Sequence, residues 1–138
     1  MTVWHVARWL DVPGTRIFAS RPAHADIWHR SGWREATGYE PHGIGYLGLG
    51  TLTGYTPEEI RAVPPLDAAS LRAYLTEATD LLIGQIDRIA ERGDTLTRQP
   101  AGHLSPYQQI SMTLQGSFGH IGEIDALVAL RARLTATR

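Results

Sequence analysis

The fold is decided by the C-terminal stretch "SPYQQISMTLQGSFGHIGEIDALVALRARL", residues 105–134. It opens as helices often do, because Ser105 can cap, Pro106 fits the first helical position, and Gln108 can return a hydrogen bond to the cap. After that start, apolar or small residues recur at intervals of three and four, at Ile110, Leu114, Ser117, Ile121, Ile124 and Val128. This spacing predicts one long helix that runs to about Leu134.

A second long helix is predicted from about Ala68 to Arg92, with Asp67 as its cap and Gly93 as its stop. Its inner face consists of Leu71, Leu75, Ala78, Leu82, Ile86 and Ile89. A shorter helix begins at the capping box Thr56-Pro57-Glu58-Glu59 and ends at Pro64-Pro65.

The N-terminal third is less regular. Val3, Val6, Ala7 and Leu10 form a helical stripe that stops at residues 11–14, "DVPG". A further helical stretch is expected from Pro22 to about Ala36. No segment alternates with the period of a strand, and no repeat or linker divides the chain. We therefore predict a single all-α domain over residues 1–138.

Composition narrows the classes of partner. The chain has 138 residues, 43% of them hydrophobic and 20% charged, and a formal net charge of −1. This charge gives no reason to expect nucleic acid or an anionic membrane as partner. The absence of cysteine excludes disulfides and thiolate metal ligands. Neither a membrane span nor a secretory signal is visible, so the expected location is the cytoplasm.

A glycine-rich segment, "GIGYLG" at residues 43–48, matches the dinucleotide-binding pattern G-x-G-x-x-G. That pattern indicates dinucleotide binding only where it connects a strand to a helix. Here a predicted helix precedes it and further glycines follow. We expect an irregular loop that packs its apolar side chains between helices. A loop of this length often has a function, such as forming the wall or lid of a pocket.

The histidines fall into two groups. His24, His42 and His103 lie near prolines and glycines and are expected to be solvated. His29 lies between Trp28 and Arg30, and we interpret it as a packing or surface residue rather than a ligand.

His5 and His120 differ because each lies inside a predicted helix near its apolar side. His5 shares a helix face with Trp9, and His120 shares one with Glu123, three residues on. Two imidazoles from different helices could bind a divalent metal such as zinc, nickel or iron, with Glu123 as a third ligand or as a group that orients the ring. The alternative is a pair of core histidines with satisfied hydrogen bonds.

Three glycines, Gly116, Gly119 and Gly122, surround His120 at every third position. Each costs a helix about 1 kcal/mol relative to alanine. We favour close approach of a neighbouring helix as the explanation; the alternative is that they leave room for a ligand beside His120.

The segments "WHVARW", "TGYTPEEIRAVP" and "GHIGEIDAL" together resemble the DinB-like superfamily, and the resemblance covers most of the chain. It implies an antiparallel four-helix bundle that is often dimeric. Better-known members bind a divalent metal through three side chains, usually histidines. Several use that metal to activate a low-molecular-weight thiol, as thiol S-transferases or as a thiol-dependent isomerase.

By this resemblance His5 and His120 match two metal ligands of the family. The third ligand normally lies one turn before His120, where this chain has Gly116. The family also has a full helix before the one that "WHVARW" resembles, so the resemblance implies a bundle that lacks or shortens its first helix. An apolar bundle face left exposed would favour self-association, and we expect a homodimer.

Three functions remain open. The first is a DinB-like protein that binds a small molecule and has a degenerate metal site. The second is a metal-dependent thiol S-transferase or isomerase-like enzyme that uses His5 and His120. The third is a metal-independent enzyme in which His120 and Glu123 are the catalytic acid–base pair.

Overall fold

The computed structural model describes residues 1–91, 97 and 104–136, and within them it contains helices and no strand. This confirms the all-α prediction. The three longest helices are α1 (Thr2–Val12), α5 (Ala68–Glu91) and α6 (Pro106–Ala136), and the short ones are α2 (Ile27–Arg30), α3 (Trp33–Thr37) and α4 (Pro57–Ala62). In the described part of the chain, no helix is both long enough and apolar enough for a membrane crossing.

The predicted helix starts are confirmed where local hydrogen bonds define them. The amide of Ser105 donates to Gln108 Oε1 at 2.9 Å, and the amide of Gln108 donates back to Ser105 Oγ at 3.2 Å. Thr56 and Glu59 form the same reciprocal box at the start of α4. Asp67 accepts from the Ser70 amide at 2.7 Å. The predicted end of α5 at Arg92 and Gly93, and the residue His103, lie outside the described residues.

α1 ends at Val12, within the stop predicted at residues 11–14, but the chain does not leave the helical path there. Pro13 keeps helical angles (φ −62°, ψ −42°), and the chain continues through a π-helical turn, Pro13–Phe18. A proline is tolerated at the first position of this turn because it lacks only an amide donor. Gly14 allows the turn to approach α5 closely, since a Cβ there would lie 3.2 Å from Leu81 Cδ2.

The continuous helix expected from Pro22 to Ala36 is wrong. A 3-10 turn, Ala23–Ala25, is followed by Asp26 in an extended conformation (φ −67°, ψ 164°). α2 then ends before Gly32, whose φ of +78° separates it from α3. The break matters because it turns Asp26 into the N-cap of α2 and brings its carboxylate to the protein interior.

The core lies between α1, α2 and α5. Trp4, Trp28 and Tyr74 are fully buried, and the ring centroids of Trp4 and Trp28 are 5.7 Å apart. The inner face predicted for α5 is largely confirmed, since Ala78 and Leu82 are buried and Leu71, Leu75 and Ile86 pack against the same cluster.

Helix α6 contacts α1 but buries little of its surface. Thr113 is its one buried residue within the described range. The apolar stripe predicted along α6 is mostly exposed: Leu114 is 46% exposed, Ile121 53% and Val128 63%. The sequence spacing therefore predicted the helix correctly. The apolar face that it identified, however, is not buried by the described residues of this chain.

Candidate functional site

Helix α1 fixes the path of the glycine-rich loop through two polar side chains. Arg8 is fully buried and donates from Nε to the Gly50 carbonyl at 2.9 Å and from Nη2 to the Leu49 carbonyl at 3.3 Å. His5 Nδ1 donates to the carbonyl of the next residue in the loop, Thr51. These bonds hold the loop against α1.

The two histidines singled out from the sequence meet between α1 and α6. The ring centroids of His5 and His120 are 4.7 Å apart, with an interplanar angle of 86°. His120 Nδ1 lies 2.8 Å from Glu123 Oε2. Since a carbonyl and a carboxylate can only accept, the Nδ1 atom of each ring carries the hydrogen, and a neutral ring then has its lone pair on Nε2. Burial lowers the pKa of His5, which favours that neutral form.

A cavity of about 670 Å³ opens beside this pair. This volume is in the usual range of small-molecule sites. Its apolar wall includes Trp9, Val12, Ile17, Leu49, Leu104 and Met112, and its polar lining includes His5, Arg16, Gln109, Ser117 and His120.

The glycine-rich loop forms part of this cavity, as the sequence suggested for a pocket wall. Leu47 and Leu49 contribute to the lining. Several glycines of the loop have a positive φ, which other residues rarely adopt. Gly45, for example, has a φ of +69°, and a Cβ there would lie 2.5 Å from the Thr53 carbonyl oxygen. Residues 46–48 form a 3-10 turn, and within the described residues no strand precedes the loop, so the context for dinucleotide binding is absent.

The glycines around His120 do not serve close helix packing, so the favoured explanation for them is wrong. A Cβ on Gly116, Gly119 or Gly122 would meet no atom of the described residues within 4 Å. Gly116 instead lines the cavity together with His120. The absence of a side chain at this position leaves room for a ligand beside His120.

A second polar cluster surrounds Asp26, on the other side of Arg8. Arg8 Nη1 donates to Asp26 Oδ2 at 2.8 Å and to Asp11 Oδ2 at 3.2 Å. Asp26 also lies 2.6 Å from His29 Nδ1 and 2.8 Å from His42 Nε2. Burial raises the pKa of Asp26, but the hydrogen bonds from His42 and Arg8 outweigh it and hold that pKa well below the usual range of a carboxyl.

This cluster corrects one expectation about the histidines. His42 was expected to be solvated, but its side chain is 19% exposed and bonded to Asp26. His29, interpreted as a packing or surface residue, stacks on His42, and its ring joins Asp26 to Glu40. His24 is exposed, as expected. Asp26 and His29 are three residues apart, as His120 and Glu123 are, and this spacing could have revealed that pair but not its contact with His42.

Among the residues that the structure describes, Asp26, His29 and His42 are the one set of three acidic or histidine side chains whose ligand atoms converge closely enough to hold a metal ion. His5, His120 and Glu123 come together but do not form such a set, since Glu123 bonds the far nitrogen of His120. Comparison of the chain with protein-family models, curated proteins and solved structures gives no match. Its functional chemistry is therefore inferred from its own residues and geometry.

Proposed function

We propose that this chain is a DinB-like helical-bundle protein that binds a small, mainly apolar molecule in the cavity between α1 and α6. The observation that carries the proposal is the cavity of about 670 Å³ itself, which has an apolar wall and the His5–His120 pair at its polar side. Mostly apolar concave sites with a few convergent polar groups are typical of small-molecule binding.

The polar groups of the cavity define the class of ligand. No hydrogen bond engages Nε2 of His5 or His120 within the described part of the chain, so each ring in its neutral form offers an acceptor. A hydroxyl, an N–H or the S–H of a low-molecular-weight thiol would satisfy these acceptors. Arg16 lines the same cavity and has no ion-pair partner among the described residues, which favours a ligand with a negative charge.

The metal site of such a bundle would be degenerate in this chain. His5 and His120 supply two nitrogens, and Gly116, at the position of the third family ligand, supplies none. The carboxylate of Glu123 already accepts a hydrogen bond from His120 Nδ1 at 2.8 Å. This arrangement supports binding through hydrogen bonds and apolar contact rather than through a three-ligand metal centre.

The binding proposal can be tested with anilinonaphthalene sulfonate, a fluorescent probe that combines apolar rings, an N–H donor and an anionic sulfonate. The matched variants are Gly116→Leu, which places a side chain in the cavity, and Gly122→Leu, which lies on the same helix outside the cavity lining. We expect the wild type to bind one probe per chain. Gly116→Leu should weaken binding at least about tenfold, or 1.4 kcal/mol.

The control variant separates cavity binding from adsorption to the exposed surface of α6. Gly122→Leu should bind the probe as the wild type does. Equal binding by both variants and the wild type would count against the cavity as the site.

The alternative function is a metal-dependent thiol S-transferase or isomerase-like enzyme that uses His5 and His120. One observation favours it: Nδ1 of each ring is held by an oxygen, the arrangement that orients Nε2 toward a metal in histidine sites. Zinc, nickel or iron bound there would lower the pKa of a thiol. Elemental analysis that finds a metal in the purified protein and loses it in His120→Ala, but not in His42→Ala, would support this enzyme over the binding protein.

A metal-independent acid–base enzyme has a narrower basis, the 2.8 Å contact between Glu123 and His120. The carboxylate would hold the imidazole and strengthen Nε2 as a base. This function predicts an activity that survives chelators but is lost in Glu123→Gln.

We also propose that the protein forms a homodimer through α6. Five large apolar side chains lie exposed along one face of α6, at intervals of three, four or seven residues. They form the outer stripe of α6: Tyr107, Leu114, Phe118, Ile121 and Val128. The stripe covers a length of about 30 Å at 1.5 Å per residue. In a two-fold dimer the same patch is buried on both subunits, so a second copy is a natural occupant.

A further inference from the structure

The cluster around Asp26 has the donor set of a metal site. Asp26 Oδ1 and Oδ2 lie 2.6 Å from His29 Nδ1 and 2.8 Å from His42 Nε2, and the two imidazole rings stack with centroids 4.3 Å apart. The ligand atoms all lie within 4.8 Å of one another. Two imidazole nitrogens and a carboxylate oxygen are ligands that zinc commonly takes in proteins.

Glu40 bonds the far nitrogen of the His29 ring, as the outer partner of a metal ligand does, and it bonds His42 through the backbone amide. Its Oε2 lies 2.9 Å from His29 Nε2, and its Oε1 lies 3.6 Å from His42 Nδ1 and accepts from the His42 amide at 2.9 Å. Both carboxylates can only accept, so both ring nitrogens of His29 carry hydrogen in the metal-free protein. A metal ion on Nδ1 would release that proton, and Glu40 on Nε2 would then hold the tautomer that binds it. Glu40 is itself held by Arg34 Nε at 2.9 Å.

The charge of Arg8 does not cancel that of Asp26. Asp11 is also ion-paired with Arg8, at 3.2 Å, so the buried cation is shared between two carboxylates. Glu40 adds a third carboxylate at the other side of the histidines, and Arg34 pairs with it at 2.9 Å. With both histidines neutral, as metal ligands are, the two arginines face three carboxylates, so the cluster keeps one negative charge that a divalent cation would offset.

The ligand atoms need to move only slightly apart to admit the ion. Tetrahedral ligands around zinc are about 3.3 Å apart, given metal–ligand bonds of about 2.0–2.1 Å. The rings of His29 and His42 would each retreat from Asp26 by several tenths of an ångström. Both side chains are partly exposed, 14% and 19%, so they have room to move, and water can reach the remaining position.

We propose that Asp26, His29 Nδ1 and His42 Nε2 bind one divalent transition-metal ion of the zinc class, with water as the fourth ligand and Glu40 as a positioning residue. The ion would clamp the N-terminus of α2 to the loop that carries His42. This site is separate from the cavity, whose lining includes none of these residues.

The test is a titration of the chelator-treated chain with Zn²⁺ alone, in which calorimetry measures the binding. We expect one zinc ion per chain at this site, and a loss of affinity of at least about tenfold in His29→Ala and His42→Ala. Glu40→Gln should weaken zinc binding by about ten- to a hundredfold, since outer partners of ligands act on this scale. The exposed His24 gives the matched control, and His24→Ala should bind zinc as the wild type does.

Two further variants keep the test decisive. If His42→Ala does not fold, His42→Gln keeps a donor for Asp26 while removing the imidazole ligand, and it should also lose zinc. Cobalt bound in place of zinc should give the absorption of a tetrahedral nitrogen–oxygen site, and Glu40→Gln should alter that spectrum if Glu40 orients the ligands.

The proposal is overturned if the wild type binds no zinc, or if His29→Ala and His42→Gln bind it as tightly as the wild type. Loss of zinc in His120→Ala with retention in His42→Gln would also overturn it and would support the metal-dependent alternative at His5 and His120. None of these results depends on whether Gly116→Leu abolishes binding of the fluorescent probe, so the two proposals fail separately.

Discussion

The rings of His5 and His120 meet edge to face across the gap between α1 and α6, with centroids 4.7 Å apart. Each ring uses Nδ1 for a bond on its own side, to the Thr51 carbonyl and to Glu123. The two Nε2 atoms have no hydrogen-bond partner among the described residues, and both rings line the cavity. The two histidines therefore give the cavity hydrogen-bonding groups as well as apolar surface, and they are the first residues to substitute.

Replacement of His120 by phenylalanine should weaken binding of anilinonaphthalene sulfonate by about fivefold. The variant keeps a ring of similar size but removes the acceptor, and a hydrogen bond contributes about 1 kcal/mol. Fluorescence titration measures the change, and His24→Phe, at an exposed position, is the control. Unchanged affinity in His120→Phe would argue against a role for the histidine pair in binding.

Loss of the Arg8 charge should destabilise the whole fold. Arg8 and Asp11 are fully buried, and Arg8→Met would leave Asp11 and Asp26 without their cation. Removing one partner of a buried ion pair typically costs about 3–5 kcal/mol. Urea unfolding should show this loss for Arg8→Met and almost none for Arg30→Met, since Arg30 is exposed. Similar stabilities of the two variants would contradict the structural role given to Arg8.

Alanine at the glycines of α6 should stabilise the protein. Within the part of the chain that the structure describes, a Cβ on Gly116, Gly119 or Gly122 meets nothing within 4 Å, and glycine inside a helix costs about 1 kcal/mol relative to alanine. Each substitution should therefore raise the free energy of unfolding by up to that amount. Gly14→Ala should give no such gain, because its Cβ would lie 3.2 Å from Leu81 Cδ2. A loss of stability at the α6 glycines would mean that another surface packs on them.

Stability should decline at alkaline pH because buried tyrosines must ionise. Burial raises the pKa of Tyr55, and its contact with the Tyr39 hydroxyl raises it further; burial also raises the pKa of Tyr74. Since these folded-state values lie above the unfolded value of about 10, the stabilisation is complete below that pH and is lost as the pH rises above it. Urea unfolding of Tyr55→Phe should show a shallower decline above about pH 10 than the wild type.

The control for this pH dependence is Tyr46→Phe, because Tyr46 is 56% exposed. It should follow the wild type throughout. Identical alkaline profiles for Tyr55→Phe and Tyr46→Phe would show that Tyr55 does not contribute.

Sequence reasoning succeeded where the determinants are local. The starts of α4 and α6 depend on hydrogen bonds between residues three apart, Thr56 with Glu59 and Ser105 with Gln108, so the pattern alone was sufficient. The pairing of His5 with His120 is not local. The sequence offered it as a possibility because each histidine lies near the apolar side of a predicted helix, and the resemblance implied it.

The Asp26 cluster could not be predicted in the same way. His42 reaches Asp26 because the following loop is held to α1 by Arg8, through the carbonyls of Leu49 and Gly50. Those contacts connect segments far apart in the sequence and leave no periodic signal. The break of the helix expected from Pro22 to Ala36 has a similar origin, since Asp11 accepts from the amides of Ile27 and Trp28 and so fixes a new helix start.

The outer stripe of α6 gives the last prediction, that self-association depends on Phe118 and Ile121. These side chains are 70% and 53% exposed at the middle of the stripe. Phe118→Glu and Ile121→Glu would place charges in an apolar contact, where an unpaired carboxylate is costly, and each should convert the dimer to a monomer. Gln115→Glu adds the same charge at an exposed position off the stripe and should remain dimeric. Sedimentation equilibrium distinguishes these states. A monomeric wild type would show that the stripe does not bind a second copy, and a dimer that persists in Phe118→Glu and Ile121→Glu would place the interface on another surface.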